Sequence, residues 1–184
     1  MLLYRIELYS QKALARIIRD GCSPSVPDNR VSGEDGETYR VCTSTSIQNC
    51  LTSLGPNCIA GWQLIENDMT VKDYKNIKWK PLKIIVMQFD TRDIPKEHII
   101  NSYELFKRGL VPDAYITKEH WILEPFHPCR VYVRELVSVN TAGRVLLLPY
   151  EILRKKKRTY ADIKDAMQVM LFRHCRWKNN QRIV

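Results

Sequence analysis

The chain has 184 residues and a mass of 21.6 kDa, enough for one well-packed domain with an appendage but short for two ordinary domains. Hydrophobic residues at 45% and charged residues at 27% are globular values, which exclude wholesale disorder, collagen-like and low-complexity architectures. The net charge of +9 is concentrated, because residues 150–184 hold ten Lys/Arg against three acids and leave only +2 for the first 149.

No run of eighteen apolar residues occurs, and Arg5 and Glu7 interrupt the opening stretch where a secretory segment would need to be apolar. A cytoplasmic protein without a membrane segment is expected. The six cysteines form no CxxC pair and the four histidines no HxxxH spacing, so neither a metal site nor a disulfide framework is indicated. Reduced, buried thiols are expected instead.

In chain order, Leu2–Ile6 reads as a strand, and Ser10–Gly21 as a helix with Ser10 as N-cap, Leu14, Ile17 and Ile18 at helical spacing, and Gly21 as the stop. Residues 22–38 are rich in Pro, Ser, Gly and Asp and read as a long surface loop, of the kind that covers a site or floats free. Tyr39–Ser46 reads as a strand whose hydroxyl residues cap a helix from Ile47 to Leu54, stopped by Gly55-Pro56. Leu82–Phe89 is the clearest strand. Pro95–Arg108 reads as a helix or an irregular linker, and strands follow at Trp121–Leu123, Arg130–Val133 and Arg144–Leu148. The body is therefore α+β. After a boundary near Pro149, Thr159 with Asp162 reads as the start of an amphipathic helix whose stripe is Ile163, Ala166, Met167, Met170 and Leu171. Two units follow from this: a domain over 1–149 and a basic helical appendage over 150–184.

Three polar stretches gain meaning together. Arg5 sits on the first strand, Ser44-Thr45-Ser46 ends the second, and Glu119-His120-Trp121 precedes Pro125. This arrangement resembles the Arg-Ser-Glu branch of the ADP-ribosyltransferase-like superfamily, whose pattern has an arginine on the first core strand, a Ser-Thr-Ser on a later one, and a Glu-x-Glu ahead of a strand running to a proline. Tyr4-Arg5-Ile6 and Tyr39–Leu51 also look like stretches of small proteins from phages and bacterial mobile elements, which would place the chain in a bacterial host's cytoplasm. The resemblance covers roughly residues 2–137.

It implies a split β-sheet core and cleavage of the nicotinamide–ribose bond of NAD, with an ADP-ribosyl group passed to a host macromolecule or to water. That bond breaks through a sugar cation, so a carboxylate near the ribose stabilises charge, and Glu119 matches that position. Arg5 would fork onto the diphosphate, and Ser44, with Thr45 and Ser46, would line the ribose side. Tyr39 or Trp121 would supply an aromatic shelf for the nicotinamide ring. One position departs from the pattern: the second acid of the pair is Trp121 here. The alternative is therefore a catalytically inactive binding protein on the same scaffold.

The basic tail suggests a polyanionic partner. Arg154, Lys155, Lys156, Lys157 and Arg158, then Arg173, Arg176, Trp177 and Lys178, could neutralise phosphates with Trp177 stacking on a base, or grip an acidic host protein.

Overall fold

The computed structural model describes residues 1–28, 30–70, 72, 80–148, 159 and 166–184. Strand β1 (Leu2–Leu8) feeds helix α1 (Gln11–Asp20), whose first turn is capped by Ser10: its Oγ accepts from the Ala13 N–H at 3.0 Å. Gly21 ends the helix at φ 69°, and a Cβ there would meet the Phe126 carbonyl oxygen at 2.7 Å. Only glycine satisfies both demands. The 22–38 loop then leads to β2 (Val41–Ser44) and α2 (Ile47–Glu66), capped by Ser46 through the Asn49 N–H.

Gly55-Pro56 does not stop α2 as expected. Gly55 takes φ 73°, ψ 170° and kinks the helix, and Pro56 restarts it, since a proline in a first turn forfeits no hydrogen bond. Downstream lie β3 (Leu82–Asp90), a 3₁₀ turn over Lys96–His98, β4 (Ile99–Ile100), α3 (Ser102–Lys107), α4 (Ala114–Thr117) and β5 (Glu119–Ile122). Segment 95–108 is thus partly helix and partly strand. The two late strands expected in 130–148 are one, β6 (Arg130–Leu147).

The expected C-terminal basic helix is a strand. Met167–Arg182 forms β7, paired antiparallel with β6 from Leu147↔Met167 to Tyr132↔Arg182. Val169 and Phe172 are buried, and Phe172, Cys175 and Trp177 pack on the core under α2, so the strand is held by a partner that helical spacing cannot reveal. The boundary placed near Pro149 and the Arg154–Arg158 run lie outside the described residues, as does most of the segment from Thr159 to Asp165.

Among the described residues, seven strands form one antiparallel sheet in the order β4-β5-β2-β1-β3-β6-β7. Its middle is weakly joined. β1 pairs with β3 at seven positions and β2 with β5 at four, whereas β1 and β2 share the single register pair Tyr4↔Ser44. The sheet therefore opens between β1 and β2. One core packs α1 through Ile17 onto Leu3, Ile85, Met87 and Phe89; a second packs α2 through Leu51 and Ile59 onto Ile6, Ile84, Val86 and Leu136. Each such fully buried aliphatic contributes about 1.5–3 kcal/mol. A third, smaller cluster sets Trp121 of β5 against Leu105, Val111 and Ala114. Among the described residues no helix is long and apolar enough to cross a membrane. The six cysteines are free; Cys22 and Cys50 are buried, Cys42, Cys58 and Cys175 half-buried, and Cys129 exposed.

Candidate functional site

The opening between β1 and β2 leads into a cleft of about 330 Å³, at the small end of the range for ligand sites. Arg5 and Glu119 both line it. Ser44 lines an adjoining recess of about 60 Å³ that shares Arg5, Cys42 and Ser53 with the cleft. The strand pairing explains the convergence, because Ser44 stands opposite Glu119 across β2–β5 and opposite Tyr4 across β1–β2. Three residues distant in sequence are thereby neighbours.

Arg5 reaches across the gap, its Nη1 donating to the Cys42 carbonyl at 3.2 Å, and among the described residues it makes no ion pair. Glu119 is 4% exposed, and both of its oxygens are held: Trp121 Nε1 donates to Oε1 at 2.8 Å and Ser53 Oγ to Oε2 at 3.1 Å. Burial pushes the Glu119 carboxyl up, and the nearby Glu34 pushes the same way. A third acid, Asp113, is pushed up to about 7 by burial and by the charges of Glu119 and Glu34.

These acids face a guanidinium that the sequence reading did not single out. Arg40 has a fully buried side chain, donates to Glu34 Oε1 at 2.5 Å and to the carbonyls of Thr38 and Asp35, and stacks 4.0 Å from the Trp121 ring centroid. Among the described residues its Nε has no hydrogen-bond partner. Arg40 thus ties the 22–38 loop to the floor of the site. Ser25, Pro27, Asp28 and Val31 of that loop form part of the cleft wall, so the segment covers the site rather than floating free of it.

The remaining expected residues lie elsewhere. Tyr39 is 68% exposed and outside the cleft lining, and Trp121 is wholly buried beneath Arg40, so neither stands as an open shelf for a ring. Ser46 spends its hydroxyl on the α2 cap, and Thr45 Oγ1 accepts from Asn49 Nδ2. Arg173, Arg176, Trp177 and Lys178 are on β7, apart from the cleft. Arg40, Glu34, Asp113 and Ser53 were missed; an acidic pair, Glu34-Asp35, just ahead of a strand-borne arginine was the available signal.

Ligand atoms of Glu34, Cys42 and Glu119 fall within 4.8 Å of one another, yet Glu34 already accepts from Arg40 and from the Val31 N–H, and Glu119 from Trp121 and Ser53. Burial holds the thiols of Cys42 and Cys50 up, Cys50 to about 12, so both stay protonated near neutral pH and are poor nucleophiles. The donor set instead suits a ligand that carries hydroxyls toward Glu119 and Asp113 and a phosphate toward Arg5. Arg40 is already neutralised by Glu34 and Asp35. No family model matches the chain, and no curated protein or solved structure matches it either.

Proposed function

We propose that this chain is an ADP-ribosyltransferase or NAD glycohydrolase of the Arg-Ser-Glu type, cleaving the nicotinamide–ribose bond and modifying a host macromolecule. The observation that carries the reading is that Arg5, Ser44 and Glu119, separated by up to 114 residues, line two adjoining hollows at the gap in the sheet. Arg5 would grip the diphosphate of NAD with its two-pronged donor face, which a lysine would copy poorly. Ionised Glu119, aimed by Trp121 and Ser53, would hold a ribose hydroxyl and stabilise the positive charge that grows on the sugar as nicotinamide departs. Ser44 would brace the ribose side from the adjoining recess.

The test is nicotinamide release from NAD by the full chain, measured beside Glu119→Gln. Turnover by the wild type and its loss in the variant are expected; no turnover and no thermal shift with NAD would refute the reading.

One observation favours a second reading. Trp121 stands where the family pattern has its second acid, and Glu119 is almost sealed from solvent. A silent binding protein on this scaffold would show a thermal shift with NAD, or none, and release no nicotinamide. It would act on its host by occupying a partner.

A further inference from the structure

Charge divides this chain sharply. Residues 1–129 hold sixteen Lys/Arg and sixteen Asp/Glu, so they are formally neutral. Strands β6 and β7 together hold seven Lys/Arg and one acid, Glu135. Four exposed arginines of the body are neutralised locally, Arg16 by Glu7, Arg19 by Asp20, Arg92 by Asp90 and Arg108 by Glu104, whereas exposed lysines such as Lys12 and Lys83 make no ion pair among the described residues. On β7, Arg173, Arg176, Lys178 and Arg182 are exposed and make no ion pair among the described residues.

We propose that the β6–β7 ribbon, the outer edge of the sheet, binds the phosphate backbone of a nucleic acid. The four cations lie along one extended strand, and nine residues separate Arg173 from Arg182, or about 30 Å at strand rise. That length matches about nine stacked nucleotide steps. Where the register slips between Asn140 and Thr141, a shallow hollow of about 410 Å³ opens, lined by Gln48, Ser138, Asn140, Arg173, His174 and Arg176. Apart from Val139 and Cys175, which also line it, every side chain of the hollow can donate a hydrogen bond, and no carboxylate among the described residues lines it. Three of the four strand cations are arginines, whose planar forks fit phosphate oxygens.

An acidic protein partner fits less well. Protein interfaces are anchored by apolar or aromatic side chains in a desolvated centre; none of the large hydrophobics of β7 is exposed, and the exposed Leu146 of β6 stands opposite Gln168, five residues before the first of the four cations. Trp177 is turned toward the α2 core and covered by Arg134, whose guanidinium lies 4.9 Å from its ring centroid. The edge offers charge and hydrogen bonds, which a polyphosphate backbone can satisfy alone.

This inference rests on no NAD chemistry. The probes are a fluorescein-labelled 30-nucleotide RNA, a 30-base-pair DNA of mixed sequence, and polyglutamate, each titrated by anisotropy against the full chain. Four phosphate contacts predict a log–log salt slope of about 3 to 4, or affinity roughly 50- to 150-fold weaker at 200 mM than at 50 mM salt. The triple variant Arg173→Gln, Arg176→Gln, Lys178→Gln should lose at least tenfold in affinity at 50 mM, flatten the slope by about 2 to 3, and melt as the wild type does. Lys12→Gln, on exposed α1, should bind unchanged. The proposal is overturned if neither nucleic acid binds at 50 mM, if the triple variant binds like the wild type, or if polyglutamate binds as tightly as the nucleic acids. Nicotinamide release by the triple variant, equal to wild type, separates failure here from failure of the catalytic reading.

Discussion

The floor of the cleft and the outer edge of the sheet solve the same problem in opposite ways. On the floor of the cleft, three acids and the Arg40 guanidinium are packed largely out of water, so each charge depends on a partner or on a proton: Glu34 on Arg40, Glu119 on Trp121 and Ser53, Asp113 on protonation. On β7 the cations stand in solvent, where an unpaired charge costs little and projects outward. A buried charge is therefore held for chemistry or architecture, and an exposed one is available to a partner. Mutations should separate the two regions cleanly.

Arg40→Met should have the largest structural effect. It leaves Glu34 buried without its counter-charge and removes the plane over Trp121, and a loss of about 3–5 kcal/mol in chemical denaturation is expected. A loss below 1 kcal/mol would mean that the pair is not a clamp. Asp113→Asn should act in the other direction. The folded-state value near 7 exceeds the ordinary one near 4, so folding favours the neutral acid. Stability conferred on the wild type at low pH should decline as pH rises from about 4 to about 7 and then level off. Asn, always neutral, should escape that part of the decline and exceed the wild type by about 2–4 kcal/mol above pH 7, measured by urea melts across pH 4–8.

Ser53→Ala tests how Glu119 is aimed. The Ser53 hydroxyl holds the Glu119 carboxyl down against its burial, so losing it should push Glu119 further up and move the rising limb of nicotinamide release toward alkaline pH. A merely structural serine would lower the rate without moving that limb. Lys178→Gln should change stability least, by under about 0.5 kcal/mol, because the side chain is exposed and makes no ion pair among the described residues. Thermal melts of the variant and wild type should superimpose.

Much of the first half of the fold was legible because its signals are local. Ser10 and Gly21 bracket α1, Ser46 caps α2, and the apolar run at Ile84–Met87 marks a central strand. What failed is what depends on partners far along the chain. Met167, Met170 and Leu171 fit a helical stripe, but pairing with β6 overrides that local preference, and the register slips along the ribbon blur a two-residue alternation. Likewise Gly55-Pro56 punctuates a helix without ending it. The sequence grouped Arg5, Ser44 and Glu119, which the structure brings to adjoining hollows, but not Arg40 and Asp113: an arginine just ahead of a strand looks solvated in sequence until the loop before it folds back to neutralise it. Trp121 reads as a candidate shelf in sequence, yet its indole is spent on holding Glu119 and supporting Arg40.

The central claim is that the carboxyl of Glu119 works at the gap between β1 and β2. Its most direct measurement is the pH profile of nicotinamide release from NAD by the wild type and by Glu119→Gln. Because burial raises this carboxyl and the proposed reaction uses its ionised form, wild-type release should climb with pH through the titration of Glu119 to a plateau, while the variant should lack that climb and be slower by roughly 100- to 1,000-fold on the plateau. Equal release by the two proteins, or none by the wild type at any pH, would contradict it.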